Sequence, residues 1–256
     1  MFAKLVLFVA FLMAPMNANV SISTQKHADV STNISAEVKP NKNATILQQV
    51  ALRDKKLRTD ARKAAVSVIT PYGSGSGTYF KIGDDYVVIT AYHVIEEHDV
   101  VLIVGRNNEQ VYGQPIIKTV KGDMAVLVVP RMTSVTPMRL KLLPGKAENN
   151  VDKLVGTDVT YTGFPGHHDL LTVDGKIANL EEGYIIMHSY GWPGSSGAGV
   201  FDFRGRFVGV VSAVDLGLWH PQIPPTIVED MVWVSPSWNL SAKQIKSYLN
   251  NRGAAK

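Results

Sequence analysis

From Val66 onward short apolar runs alternate with turn residues: VSVIT, GTYF, YVVIT, VVLIV, MAVLVV, DVTYTGF, LLTVDGKI, YIIMHS, GVFDF, FVGVVSAV and MVWVS. β-Branched and aromatic side chains fill the runs, and Gly, Asp, Asn and Pro separate them, which predicts an all-β sandwich or barrel. Strand and helix patterns do not alternate, so a parallel βαβ sheet is not expected. Only two helices are predicted within or after this region. One is a turn or two at AYHVIEE. The other is C-terminal, SAKQIKSYLNN, with Ser241 as N-cap and Ile245 and Leu249 on one face. Upstream, TILQQVALRDKKLRTDARKAA is helix-prone and basic. Its apolar positions (Ile46, Leu47, Val50, Leu52, Leu57) stop early, so a solvated helix that buries little is expected, and a chain beginning near Arg62 should fold alone. Residues 20–44 show no apolar period and read as a linker.

The first residues, MFAKLVLFVAFLMAPMNANV, place Lys4 before an apolar run from Leu5 to about Met16. A bilayer-spanning helix needs about 20 residues, more than this run supplies. A positive residue before a short apolar core is instead the pattern of an export signal, with Ala18 beside a poor cleavage site, or of an uncleaved anchor. The expected organisation is a signal or anchor over 1–19, a linker plus basic helix over 20–62, and one domain over 63–252. A secreted or periplasmic location follows if the segment is cleaved. Membrane attachment is expected only through this segment.

Composition narrows the chemistry. The 256 residues contain no cysteine, which excludes disulfides, cysteine-ligated zinc and thiol nucleophiles. Hydrophobic content of 45% and charged content of 19% are those of a globular chain. A net charge of +4 is too small to call for nucleic acid. HVIEEH superficially resembles a zinc-protease helix, but His93 and His98 are five residues apart and would sit about 140° apart around a helix, so no metal is expected.

Three stretches remain. His93 follows a buried-looking strand in VVITAYHVIEEH. Asp123 heads the strand of KGDMAVLVV, where its carboxylate can reach inward to accept a hydrogen bond from an imidazole. GWPGSSGAGVFD sets two serines in a run of small residues. An acyl-transfer nucleophile needs an exposed hydroxyl on a tight turn, a base, and backbone N–H groups aimed at the developing oxyanion. Gly194 can turn its N–H into such a site, Ser196 can supply the second N–H and the hydroxyl, and Gly197 leaves room for substrate.

Together, TAYHV, GDMAVL and PGSSGAGVFDFRGRFVGVVS resemble the chymotrypsin-like (trypsin-fold) serine peptidases of the cysteine-free bacterial and viral type, over about residues 63–250. The resemblance implies two antiparallel six-stranded β-barrels, about 63–135 and 150–240, with a C-terminal helix over about 241–251. It implies a serine endopeptidase that needs no cofactor and acts on a protein or peptide. His93 would be the general base, Asp123 the residue that orients it, and Ser196 the nucleophile, with Gly194 and Ser196 as the oxyanion hole. GSGSGTYF resembles the hairpin before the histidine strand, and YTGFPG the strand before the nucleophile half. Ser212 would begin the strand along which substrate pairs. Tyr190 and Val214 would wall the specificity pocket, with Met231 at its back. The competing reading is a catalytically silent binding or scaffold protein on the same fold. A third, an interaction barrel with purely structural Gly-Ser turns, leaves the order of the three motifs unexplained.

Overall fold

A computed structural model of the chain describes residues 45–119, 122–144, 151–217 and 226–253. The predicted signal or anchor and the linker lie outside the described residues. The elements in chain order begin with α1 (Ile46–Ala64), β1 (Ala65–Thr70), β2 (Gly73–Ile82), β3 (Asp85–Thr90), α2 (Tyr92–Ile95), β4 (Val101–Val104), β5 (Gln110–Thr119), β6 (Met124–Val129) and β7 (Met138–Arg139). They continue with α3 (Val151–Leu154), β8 (Asp158–Gly163), β9 (Leu171–Glu181), β10 (Tyr184–His188), β11 (Gly199–Asp202), β12 (Phe207–Gly217), β13 (Thr226–Pro236) and α4 (Ala242–Gly253).

The strands form two closed six-stranded antiparallel barrels, as the sequence led us to expect. The first runs β1-β4-β5-β6-β3-β2 and closes through the β1–β2 hairpin, with β7 added in parallel to the outside of β2. The second runs β10-β13-β12-β11-β8-β9. Alternation of inward and outward side chains fills each barrel. Val66, Val68, Tyr79, Val88, Ile103 and Leu127 pack in the first; Val159, Tyr161, Ile185, Val200, Val211 and Val234 pack in the second. A third cluster holds the barrels together. Phe80 of β2 packs edge-on against Phe207 of β12 at 5.3 Å between ring centroids, with Phe201 beside both. The predicted C-terminal helix closes over this cluster. Ser241 caps it through the Gln244 amide, and Ile245 and Leu249 are buried.

Two strands escape the hydrophobic pattern. β5 reads QVYGQPIIKT and carries Gly, Gln and Pro where an alternating strand would carry apolar residues. Pro115 lacks a donor for the ladder, and the register with β6 slips between Pro115 and Ile117, the bulge at which a strand tolerates proline. β7 has two residues and is too short to show a period.

Helix α1 corrects a second expectation. Its N-terminus is solvated, with Ile46 and Leu47 about four-fifths exposed (79% and 81%) and a capping box between Thr45 and Gln48. Its last turns are not solvated. Leu57 and Ala61 join the cluster between the barrels, and Ala64 is fully buried. Leu57, Ala61 and Ala64 follow the four- and three-residue spacing of a helix face, but two of them are alanines, which carry little hydrophobic signal in the sequence.

Candidate active site

His93 lies on the single turn of α2, directly after β3, and Asp123 lies on the tight turn that feeds β6. The turn is closed by the Gly122 amide on the Thr119 carbonyl, and Asp123 takes a left-handed φ of 38°. An L-residue adopts that conformation at a cost, which here aims the carboxylate inward. Asp123 Oδ1 accepts the backbone N–H of His93 at 2.9 Å, and Oδ2 meets His93 Nδ1 at 2.9 Å. Ser212 Oγ donates to the same Oδ2. A carboxylate only accepts, so the proton on Nδ1 faces Asp123 and Nε2 is left as the basic nitrogen of the neutral ring. Asp123 is 3% exposed, so its carboxylate is shielded from water, while His93 is partly exposed. His98 is not part of this arrangement; its Nδ1 lies 3.1 Å from the Ile95 carbonyl. Among the described residues no three His, Asp or Glu side chains form a metal-ligand group.

Burial separates the two serines. Ser195 is 1% exposed. Its Oγ accepts the Trp192 amide at 3.3 Å and lies 3.5 Å from the Tyr161 hydroxyl, which donates to the Tyr190 carbonyl at 2.6 Å. Burial pushes the Tyr161 phenol up to about 12, so it remains a hydrogen-bond donor. Ser195 thus braces the loop. Both serines line, with His93, a cavity of about 30 Å³ between the barrels, but only Ser196 is partly exposed.

The backbone around Ser196 is set by two glycines. Gly194 has φ +99°, and a Cβ there would lie 2.4 Å from the Phe164 carbonyl oxygen. Gly197 has φ +87°, and a Cβ there would lie 2.1 Å from the Ser76 carbonyl oxygen and 2.2 Å from Thr90 Oγ1. The space beside Gly197 is therefore taken by the first barrel rather than left for substrate, which corrects the sequence reading of that residue. The Pro193 carbonyl accepts the Gly166 amide at 2.9 Å. Because the peptide is planar and trans, the Gly194 N–H points to the opposite side. Among the described residues no acceptor takes the Gly194 or Ser196 amide hydrogen.

Ser76, on β2, was not singled out by sequence. Its amide donates to the Ser196 carbonyl at 2.7 Å. Its hydroxyl donates to the Gly194 carbonyl at 2.7 Å and accepts the Phe164 amide at 3.0 Å. One residue of the first barrel therefore holds the nucleophile loop of the second from both sides of Ser195. The signal that could have found it is the alternation GSGSG, since glycine within a strand marks close backbone approach. A Cβ at Gly75 would lie 2.8 Å from the Ser196 carbonyl oxygen.

Val214 lines the cavity, together with Trp192, Pro193, Ala213 and Ile227, which sequence reasoning did not name. Ser212 also lines it, but it sits mid-strand in β12 and its hydroxyl is spent on Asp123. Tyr190 is 36% exposed and stands outside the cavity wall. Met231 pairs with His188 on the β10–β13 ladder and is likewise outside the wall. Beside Gly191 the space is taken by valines: a Cβ there would lie 2.6 Å from Val232 Cγ2 and 2.8 Å from Val214 Cγ1.

Residues 75–210 match the family described as "Trypsin-like peptidase domain". No curated protein sequence matches the chain. Among solved structures, an inactive serine-to-alanine mutant of Rv3671c from M. tuberculosis H37Rv aligns with a TM-score of 0.52 and 17% identity, over 80% of this chain and 94% of that one. A serine endoprotease from Yersinia pestis aligns with a TM-score of 0.55 and 16% identity, over 77% of this chain and 66% of that one. The HtrA-type protease AlgW, solved with a tripeptide, aligns with a TM-score of 0.58 and 16% identity, over 78% of this chain and 64% of that one. At these identities the likeness is one of fold.

Proposed function

The chain belongs to the trypsin-like peptidase domain family, and on that premise we propose that it cleaves peptide bonds with Ser196 as nucleophile, His93 as general base and Asp123 as the carboxylate that orients the imidazole. The observation that carries this reading is the pairing of Asp123 with both the backbone N–H and Nδ1 of His93, while His93 and the partly exposed Ser196 face one cavity.

In the first step Ser196 Oγ attacks the carbonyl carbon of the scissile bond and His93 Nε2 takes the hydroxyl proton. Asp123, held by the Ser212 hydroxyl as well, stabilises the imidazolium that forms. The carbonyl oxygen becomes an oxyanion, and the unclaimed amides of Gly194 and Ser196 are the donors for it. His93 then hands its proton to the leaving amine, and the acyl group stays on Ser196. Water, deprotonated by the same imidazole, attacks the acyl carbon and frees Ser196. Every proton moves between groups of this chain, the substrate and water.

The test is stoichiometric labelling with a fluorophosphonate. Native protein is expected to take up one label per chain, Ser195→Ala is expected to label at a comparable rate, and Ser196→Ala is expected not to label. Well-folded native protein that takes no label supports the silent scaffold instead. Labelling lost in Ser195→Ala but kept in Ser196→Ala moves the nucleophile by one residue. The proposed location remains that of an exported protein, on the strength of the apolar segment Leu5–Met16.

A further inference from the structure

The β8–β9 loop, residues 164–170, is held at three points. At its start the Phe164 amide donates to Ser76 Oγ at 3.0 Å. In its middle the Gly166 amide donates to the Pro193 carbonyl at 2.9 Å. At its end Arg62, from the last turn of α1, donates through Nη1 to the Leu170 carbonyl at 3.1 Å and to Thr172 Oγ1 at 3.0 Å. Thr172 Oγ1 in turn lies 3.0 Å from Thr162 Oγ1 across the β8–β9 ladder. The middle contact is the one that matters for chemistry, because the orientation of the Pro193–Gly194 peptide decides where the Gly194 N–H points.

Arg62 is itself held in place. Its carbonyl accepts from Arg106 Nη2 at 3.1 Å, the Lys63 carbonyl accepts the Thr136 amide at 3.0 Å, and the flanking Ala61 and Ala64 are buried. One turn earlier, Arg58 makes two parallel bonds to Asp174 on β9, at 3.0 and 2.7 Å. The end of α1 is thus anchored on the first barrel and reaches with two guanidinium groups to the second. Both bonds leave one nitrogen, Nη1, whose two hydrogens lie in the guanidinium plane, so a carbonyl and a hydroxyl are held at a fixed angle to each other.

We propose that Arg62 is a positioning residue for the oxyanion site: by fastening the end of the 164–170 loop, helix α1 keeps Gly166 on the Pro193 carbonyl and so keeps the Gly194 N–H turned into the cleft. This rests on the reading of Gly194 as an oxyanion donor. Arg62 touches no substrate in this scheme. It acts through the loop, and its removal leaves Ser196, His93 and Asp123 in place.

The experiment compares native enzyme, Arg62→Ala, Arg62→Lys and Thr172→Val for kcat, KM, thermal midpoint and inhibition by a peptide boronate. The boronate forms a tetrahedral adduct on Ser196 and sets an oxygen at the Gly194 amide. Loss of a whole oxyanion donor costs about 100- to 1,000-fold in kcat, and a misaimed donor less, so Arg62→Ala is expected to lose about 5- to 50-fold in kcat. KM should be near native, and the boronate Ki should rise by a similar factor. Arg62→Lys keeps one donor nitrogen but not its planar, fixed reach, and should fall between the two. Thr172→Val, which keeps the side-chain volume, should show a smaller loss of the same kind and serves if Arg62→Ala does not fold. Native kcat and Ki in Arg62→Ala, or a loss confined to KM or to the thermal midpoint, overturns the proposal. Native enzyme that neither cleaves peptides nor binds the boronate refutes instead the reading of the site on which the proposal rests.

Discussion

Ser76 joins the two halves of the site with its amide and its hydroxyl at once. Replacing it by alanine strips the part-buried Phe164 amide and Gly194 carbonyl of a shared partner that is itself fully buried. A buried polar group left unpaired costs about 1–3 kcal/mol. Ser76→Ala should therefore lower the thermal midpoint and reduce kcat/KM about tenfold, as the same free energy would if spent in the transition state. A variant with native stability and turnover would show that Gly194 is held by other contacts. Gly197→Ala is expected to be worse, because the new methyl group meets the Ser76 carbonyl and Thr90 Oγ1, neither of which can swing away. A shift of about 1 Å in the nucleophile loop costs about 100-fold in rate, and kinetics of the purified variant will read that loss. His93, Asp123 and Ser196 were singled out in the sequence because TAYHV, GDMAVL and PGSSG together, in that order, resemble one family. Ser76 was not legible. Its partners lie 88 and 118 residues away, and a serine between glycines names neither.

At the scale of elements, the strands that alternate cleanly were readable and those that bend were not. β6 (MAVLVV) is buried along most of its length and shows as an apolar run. β5 is bulged at Pro115, half exposed, and shows as a loop. The turn that launches β5 carries a titratable clasp. Glu109 accepts from the Thr133 amide and hydroxyl and from the Ser134 amide, at 2.6 to 3.0 Å, and so ties this turn to the segment that leaves the first barrel. The Ser134 side chain first, then the Thr133 and Ser134 amides and the Thr133 hydroxyl, favour the carboxylate and lower the Glu109 pKa from 4.5 to about 2. A depressed folded-state pKa means that the contribution to stability is complete above the unfolded value and fades as pH falls through the folded one. The denaturant midpoint of native protein should therefore exceed that of Glu109→Gln at neutral pH, and the gap should close between about pH 4.5 and 2. A gap that is the same at both ends of this range would show that the clasp does not depend on charge.

For the whole molecule the question is where the catalytic domain begins. The apolar pattern places its start near Arg62, because α1 carries few large apolar residues. Packing places it earlier. Leu57 lies in the same cluster as Phe80, Phe207 and Ile245, the cluster that joins both barrels to α4. Arg58 stacks over the Phe203 ring at 4.7 Å while it pairs with Asp174, whose pKa is lowered chiefly by that hydrogen-bonded guanidinium. The ion pair is partly exposed (34% and 53%) and adds about 0–1 kcal/mol, whereas burial of Leu57 adds about 1.5–3 kcal/mol. Hydrophobic contact therefore dominates the docking, and the arginines set its register. A chain that starts at residue 45 should match the full chain in thermal midpoint. A chain that starts at residue 65 should unfold about 5–15 °C lower. It should also lose turnover at temperatures where it is still folded, because the two barrels that carry His93 and Ser196 are then joined without the bridge from α1. Equal midpoints and equal kcat/KM for the two starting points would return α1 to the linker, and would leave the cluster between the barrels to Phe80, Phe201, Phe207 and the face of α4 alone.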